Sequence, residues 1–218
     1  MKNKGEPLLK IKDTVITSLD GEHLFKIDDS TFKSGVTALS GANGSGKSTL
    51  LKVLSTLHPA RYSNITFGSF DIKKRKSSYL QQLTYMPQNF SAYPELSGNE
   101  FLVYLLRLNG CSKKQAISIA SYWMTVLGLE SSAHKRTETY SQGMLQKLGF
   151  AFAVSLNRPL CLMDEPFAGV DPDSRQAMMD ILFSKSMSGR IFIICTHHVN
   201  EMRDKGAMVR SIESGRLY

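Results

Sequence analysis

No apolar run in this chain approaches the roughly 18 residues that a membrane-crossing helix needs. The best candidate, Phe101 to Leu106, is cut by Arg107. The first residues, Met1-Lys2-Asn3-Lys4-Gly5-Glu6-Pro7, have no apolar stretch after their lysines, so no secretory signal is expected. Cysteine is scarce: Cys111, Cys161 and Cys195 are an odd number without metal-ligand spacing, which excludes a disulfide framework and suits buried, reduced thiols. Repeats, low-complexity tracts and long linkers are also missing, so the 218 residues are expected to form one compact domain over 1–218, soluble and cytoplasmic. Acidic residues are the minority, 19 against 27 Lys and Arg, for a net charge of +8. That excess permits an anionic partner, whether nucleic acid or the surface of a membrane. Its largest cluster, Lys73-Lys74-Arg75-Lys76, has no interleaved aromatics and reads as a solvated face, so no nucleic acid is expected.

The chain does contain a glycine-rich loop in the right setting. Val36 to Ser40 is a short apolar strand, and Leu50, Val53, Leu54 and Leu57 mark one face of a helix. Between them Gly41-Ala42-Asn43-Gly44-Ser45-Gly46-Lys47-Ser48-Thr49 matches G-x-x-x-x-G-K-[ST]. Backbone N–H groups of such a loop converge on phosphate oxygens at the positive end of the following helix. Lys47 is placed to reach the β- and γ-phosphates, and Ser48 to put its hydroxyl on Mg²⁺. Leu160–Met163 and Ile191–Cys195 read as buried parallel strands joined by a helix starting at Asp171-Pro172. Asp164-Glu165 ends the first of them. Two carboxylates there can divide the work, Asp164 holding the magnesium through water and Glu165 polarising an attacking water; a solvated strand end is the plainer alternative.

The rest of the chain frames these motifs. Residues 8–17 and 24–40 read as short strands, with turns at Asp20-Gly21 and Ser34-Gly35. Ser97-Gly98-Asn99-Glu100 and Ser112-Lys113-Lys114-Gln115 have the form of capping boxes, so 97–140 reads as a helical insertion within an α/β domain. Ser141 opens a further helix, with Met144, Leu145, Leu148 and Phe152 on one side. Ser141-Gln142-Gly143 can form an anion site at that helix start, or Ser141 can be an ordinary N-cap. Gln88 follows Tyr85-Met86-Pro87 at a strand end, where a glutamine can bind Mg²⁺ or orient water. His197 follows the strand Ile191–Cys195, where a histidine can hydrogen-bond a γ-phosphate. Met208 to Tyr218 reads as a hairpin turning at Ser214-Gly215.

Taken in order, these motifs resemble the ATP-binding domain of ABC transporters, over nearly the whole chain. The resemblance implies an α/β fold: a P-loop NTPase core with a parallel sheet, an N-terminal antiparallel β subdomain and an inserted helical subdomain at approximately 90–155. It implies a Mg²⁺-dependent ATPase in which Glu165, His197 and Gln88 are catalytic and Ser48, Gln88 and Asp164 hold the metal. Ser141-Gln142-Gly143 resembles the signature sequence that contacts ATP bound to the opposite subunit, with Tyr140 in place of the usual Leu and Gln142 in place of the first Gly. His197, not His198, matches the family pattern, and Ala168-Gly169-Val170-Asp171 resembles the D-loop facing the partner, although Asp171 can also be a plain helix cap. The implied partners are transmembrane permease subunits and a second ATP-binding subunit, identical or homologous, on the cytoplasmic face of the membrane. The details look most like bacterial exporters of the ABC-2 type. The family's adenine-stacking aromatic falls on Leu19 here, with Phe25 the nearest aromatic. A non-transport ABC protein acting on ribosomes or nucleic acid, and a small-molecule kinase, are the alternatives.

Overall fold

The computed structural model describes residues 8–184 and 189–218. Met1–Pro7, read above as carrying no secretory signal, lies outside the described residues. The chain divides into two compact units.

The first unit holds Tyr85 and everything before it, Arg158–Asp164, and the chain from Leu182 onward. Its strands are β1 (Leu9–Ile11), β2 (Thr14–Ser18), β3 (His23–Ile27), β4 (Ser30–Phe32), β5 (Gly35–Ser40), β6 (Ala60–Arg61), β7 (Ile65–Phe67), β8 (Phe70–Asp71), β9 (Leu83–Met86), β10 (Leu160–Asp164), β11 (Ile191–Cys195), β12 (Met208–Glu213) and β13 (Arg216–Leu217). Nine of them form one sheet in the order β6-β2-β3-β13-β12-β5-β11-β10-β9, and four form a smaller sheet, β4-β1-β7-β8. The small sheet is antiparallel throughout. The centre of the large one is parallel: β10 runs with β11, β11 with β5, and β5 with β12. β10 and β11 are buried at every position, as their unbroken apolar runs require of strands covered on both faces.

Helix α1 (Lys47–Leu54) packs beneath this sheet with Leu50, Leu51, Val53 and Leu54 buried. The helix is one turn shorter than its apolar spacing suggests: Thr56 takes a left-handed φ of 62° and Leu57 is exposed. Tyr79, in α2 (Lys76–Leu80), closes the core by donating its hydroxyl to the Leu54 carbonyl at 2.7 Å. The basic run is capped locally, since Asp71 Oδ1 accepts the Lys73 and Lys74 N–H groups. Helix α7 (Val199–Asp204) follows β11, and the terminal hairpin pairs β12 with β13 as its turn residues predict. Cys161 and Cys195 are buried thiols; Cys111, in the second unit, is half-buried.

The second unit holds Met86–Asn157 and Glu165–Ile181. Helices α3 (Gly98–Leu108) and α4 (Lys113–Val126) both begin with complete capping boxes, at Ser97 with Glu100 and at Ser112 with Gln115. Two orphan donors are satisfied reciprocally in each, which fixes where the helices start. Leu108, the last residue of α3, is exposed. Helix α5 (Gln142–Ser155) departs further: Gly143, Gln146, Leu148, Gly149, Phe150, Ala151, Ala153 and Val154 are buried, whereas Met144, Leu145 and Phe152 are only half-buried. The buried face combines small residues that allow close approach with Leu148, Phe150 and Val154. Helix α6 (Pro172–Phe183) starts at the Asp171-Pro172 step.

Tyr140 is explained in this unit. It is buried, donates to the Ser132 carbonyl at 2.7 Å, and its ring fills the space where a side chain on Gly98 would project. Gly98 has no left-handed φ, so its requirement is purely steric. Gly98→Ala should therefore destabilise the protein by about 1–3 kcal/mol, and Tyr140→Leu should remove most of that effect in the double variant, because the two positions share one volume. Thermal melting of the four proteins tests this; equal losses with and without Tyr140 would refute it.

Candidate functional site

In the first unit the site grows from the register of three strands. Asp164 at the end of β10 pairs with Cys195 at the end of β11, which pairs with Leu39 in β5. Parallel strands in register end together, so the loops that follow them open along one edge of the sheet.

The loop after β5 is shaped by what it cannot contain. A Cβ on Gly41 (φ 145°) would lie 2.5 Å from the Ile212 carbonyl oxygen and 2.6 Å from Ser45 Oγ. A Cβ on Gly46 (φ 99°) would lie 2.8 Å from the Phe25 ring. Asn43 and Gly44 form the tip, and the Ser45 N–H returns to the Ala42 carbonyl at 3.1 Å. Lys47 folds back so that Nζ donates to the carbonyls of Gly41 and Ala42 at 2.8 and 3.0 Å. Ser48 Oγ donates to Asp164 Oδ1 at 2.8 Å, and Thr49 follows within α1.

Asp164 is almost fully buried. Burial pushes its carboxyl above the usual carboxylate range, against the opposing pulls of the Ser48 hydroxyl, Lys52 and Lys47. His197, just past β11, is exposed. His198 is committed locally: its N–H donates to Thr196 Oγ1 at 3.0 Å and its Nδ1 meets Glu201 Oε1 at 2.9 Å.

Phe25 is only 2% exposed and lies under the loop at Gly46, so it is not available to stack on a base. Leu19, where the family resemblance places the stacking aromatic, is 54% exposed. Phe25 as the floor of the loop had no sequence signal beyond its alternation with Ile27 along β3.

The second unit carries the remaining candidates. Glu165 follows Asp164 directly in the chain and is nearly buried at a left-handed φ of 48°. Its carbonyl accepts from the Ala168 N–H and from Gln146 Nε2, each at 3.2 Å. Gln88 is exposed at the start of the loop after β9, and its own carbonyl accepts from the same Gln146 Nε2 at 2.7 Å. Thus one buried amide brings together the backbones of two candidate residues. Sequence reasoning missed Gln146; the signal was a polar side chain three residues from a glycine on either side along α5.

Ser141 is the N-cap of α5 and accepts the Met144 N–H at 3.2 Å, with Gln142 exposed beside it and Gly143 buried against the Gly169 carbonyl. A serine hydroxyl that accepts in a cap keeps its own hydrogen to donate, so capping leaves Ser141 able to bind an anion. Asp171 caps α6 through the Ser174 N–H at 2.9 Å. That bond, then the Ser174 hydroxyl and Lys147, hold its carboxyl down at about 2; Lys147 Nζ stands 3.4 Å away.

The ABC transporter family profile matches residues 26–168. The human retinal-specific phospholipid-transporting ATPase ABCA4 is 32% identical over 187 residues, covering 86% of this chain and 8% of the human protein. The linearmycin resistance ATP-binding protein LnrL of Bacillus subtilis (strain 168) is 30% identical over 179 residues, covering 82% of this chain and 58% of LnrL. This chain therefore spans a small part of the first relative and somewhat over half of the second. Among solved structures, an ATP-binding subunit of an ABC transporter superposes with a TM-score of 0.82 at 26% identity, covering 96% of this chain and 88% of that one. The mixed α/β architecture is that of a P-loop NTPase ATP-binding domain.

The burial of Asp164 has a measurable consequence. A carboxyl whose folded pKa is raised disfavours folding while ionised, fully so above the folded pKa, and ceases to do so as pH falls towards the unfolded value of about 4. Asp164→Asn should therefore raise the melting temperature of the ligand-free protein by about 2 °C or more at pH 8, and the gain should shrink as the pH is lowered. A variant less stable than wild type at pH 8 would contradict this account.

Proposed function

The chain belongs to the ABC transporter family, and we propose that it is an ATP-binding, ATP-hydrolysing subunit that energises separate membrane subunits, for export. The observation that carries this reading is the Ser48–Asp164 hydrogen bond, with the Lys47 ammonium held on the loop carbonyls beside it. Phosphate binding, metal binding and a strand-end carboxylate converge there. Export is supported by LnrL, a resistance protein by name, and by ABCA4, a phospholipid-transporting ATPase by name.

In the proposed mechanism the backbone N–H groups of the loop Gly41-Ala42-Asn43-Gly44-Ser45-Gly46, with those of Lys47, Ser48 and Thr49, cradle the phosphates of ATP. The buried Ser45 hydroxyl, which has no hydrogen-bond partner among the described residues, is a further donor for a phosphate oxygen. Lys47 adds a charge-assisted contact to the β- and γ-phosphates. Mg²⁺ fits this site: Ser48 and Asp164 offer hard oxygen donors 2.8 Å apart, and a cation relieves the burial of the Asp164 carboxylate. When bound, it supplies charge neutralisation at the phosphates; Gln88 is proposed to contribute to holding it. Glu165 polarises the attacking water, and His197 hydrogen-bonds the γ-phosphate. Ser141, Gln142 and Gly143 are proposed to contact ATP held by a second subunit, identical or homologous. The subunit pair would dock on transmembrane permease subunits at the cytoplasmic face, where its basic charge favours anionic lipid.

Glu165→Gln should abolish steady-state hydrolysis while keeping ATP binding and accumulating an ATP-bound dimer; near-wild-type turnover would refute the role of Glu165. Lys47→Ala should weaken binding as well as turnover. Mixing a Lys47→Ala chain with a Ser141→Arg chain should restore partial activity, because one composite site in the mixed dimer carries both defects and the other neither. ATPase activity strictly linear in protein concentration, from a monomer at all ATP levels, would exclude the shared site.

With Leu19 exposed and Phe25 buried, base contacts should contribute little. ATP and GTP affinities measured by calorimetry should agree within about tenfold, since one lost stacking contact is worth roughly 1 kcal/mol. A stronger preference for ATP would require another aromatic to meet the base.

A further inference from the structure

Along α5, three residues spaced by three form a strip of close approach within the second unit. Gly143 lies against the Gly169 carbonyl, in the segment after Glu165. Gly149 lies against Phe90, in the segment after Gln88, where an added Cβ would stand 2.6 Å from the ring. Between them Gln146 is fully buried. Its amide nitrogen has two hydrogens, and both have acceptors: the Gln88 carbonyl at 2.7 Å and the Glu165 carbonyl at 3.2 Å. Turning the amide over would set its oxygen against two carbonyl oxygens, so only this orientation is chemically acceptable.

The amide oxygen, Oε1, has no hydrogen-bond partner among the described residues. An unmet buried acceptor is unfavourable, and a methionine or leucine would fill the same space without one. Packing therefore does not account for a glutamine here; the two donated bonds do. Glu165 itself needs external support, because a non-glycine residue at a φ of 48° is held there by its surroundings.

We propose that Gln146 is a positioning residue for ATP hydrolysis. It clamps the Glu165 backbone, and with it the direction of the Glu165 carboxylate. It also ties that backbone to Gln88, so that a displacement of α5 at its Ser141 end reaches both loops. The proposal rests on Glu165 being the group that polarises the attacking water.

Gln146→Met removes both donors at nearly constant volume. We expect kcat to fall about 10- to 100-fold, with KM for ATP and calorimetric ATP affinity changed less than about twofold. Gln146→Asn, which keeps an amide of shorter reach, should give the same split and stands in should the Met variant lose its cooperative melt. Gln146→Glu supplies the distinguishing readout. Its buried carboxylate repels both carbonyls when ionised and regains one donor when protonated, and burial brings that titration towards neutrality. Its kcat relative to wild type should therefore rise as pH falls from about 8 to 6, in samples that melting shows to be folded throughout. Unchanged kcat in the Met and Asn variants, a KM effect at preserved kcat, or a Gln146→Glu profile parallel to wild type would each overturn the proposal. If Glu165→Gln retains near-wild-type turnover, the assignment of Glu165 fails; if that variant is inactive and the Gln146 variants are normal, only the clamp fails.

Discussion

Everything at the first unit's site depends on parallel strands that end level. With Leu39, Cys195 and Asp164 in one row, the glycine loop, the His197 segment and the buried carboxylate leave the sheet along the same edge. The Ser48–Asp164 hydrogen bond then closes α1 onto β10. A one-residue slip of β10 would remove that carboxylate and would also reverse which faces of a fully buried strand meet the core. Stability and chemistry are therefore set by the same register.

The site is also assembled by exclusion. Gly41 and Gly46 serve the loop because neighbouring groups already occupy their side-chain positions: the Ile212 carbonyl and Ser45 hydroxyl in one case, the Phe25 ring in the other. Asp164 is placed where water is scarce, at a cost to folding that a bound cation would offset. The same logic recurs in the second unit, where Gly98 yields its volume to Tyr140 and Gly149 yields its to Phe90. Small residues here mark where something else must fit.

Sequence patterns revealed those parts of the fold that depend on local chemistry. Both capping boxes, the glycine loop and its helix, the strands β10 and β11, and the terminal hairpin carry signals in short windows. The short strands between Ala60 and Asp71 did not, because two- and three-residue strands have too little periodicity to register. The apolar face of α5 was read only in part, for a different reason: Leu148 is buried as expected, while Met144, Leu145 and Phe152 are half-buried. Periodicity counts large side chains, whereas this helix buries glycines, alanines and Gln146 alongside Leu148, Phe150 and Val154. Of the candidate residues, Ser48 and Asp164 are joined by a direct bond, while the link between Gln88 and Glu165 runs through a third side chain that spacing alone does not pick out. Leu57 and the aromatic expected near Leu19 show the remaining limit: where a helix stops, and which ring is buried, are decided by tertiary contacts.

The posture of Lys47 has one more consequence. An ammonium group has three hydrogens, and the carbonyls of Gly41 and Ala42 receive two of them. The group stands as a tripod with two legs planted in the backbone, so its third hydrogen has a fixed bearing. The rotamer freedom of a long side chain is thus surrendered when the protein folds, not when a phosphate arrives. A guanidinium carries its donors in a rigid planar fork and cannot adopt that stance. Charge conservation alone would not preserve the loop: its carbonyls have selected the shape of the cation as well as its sign.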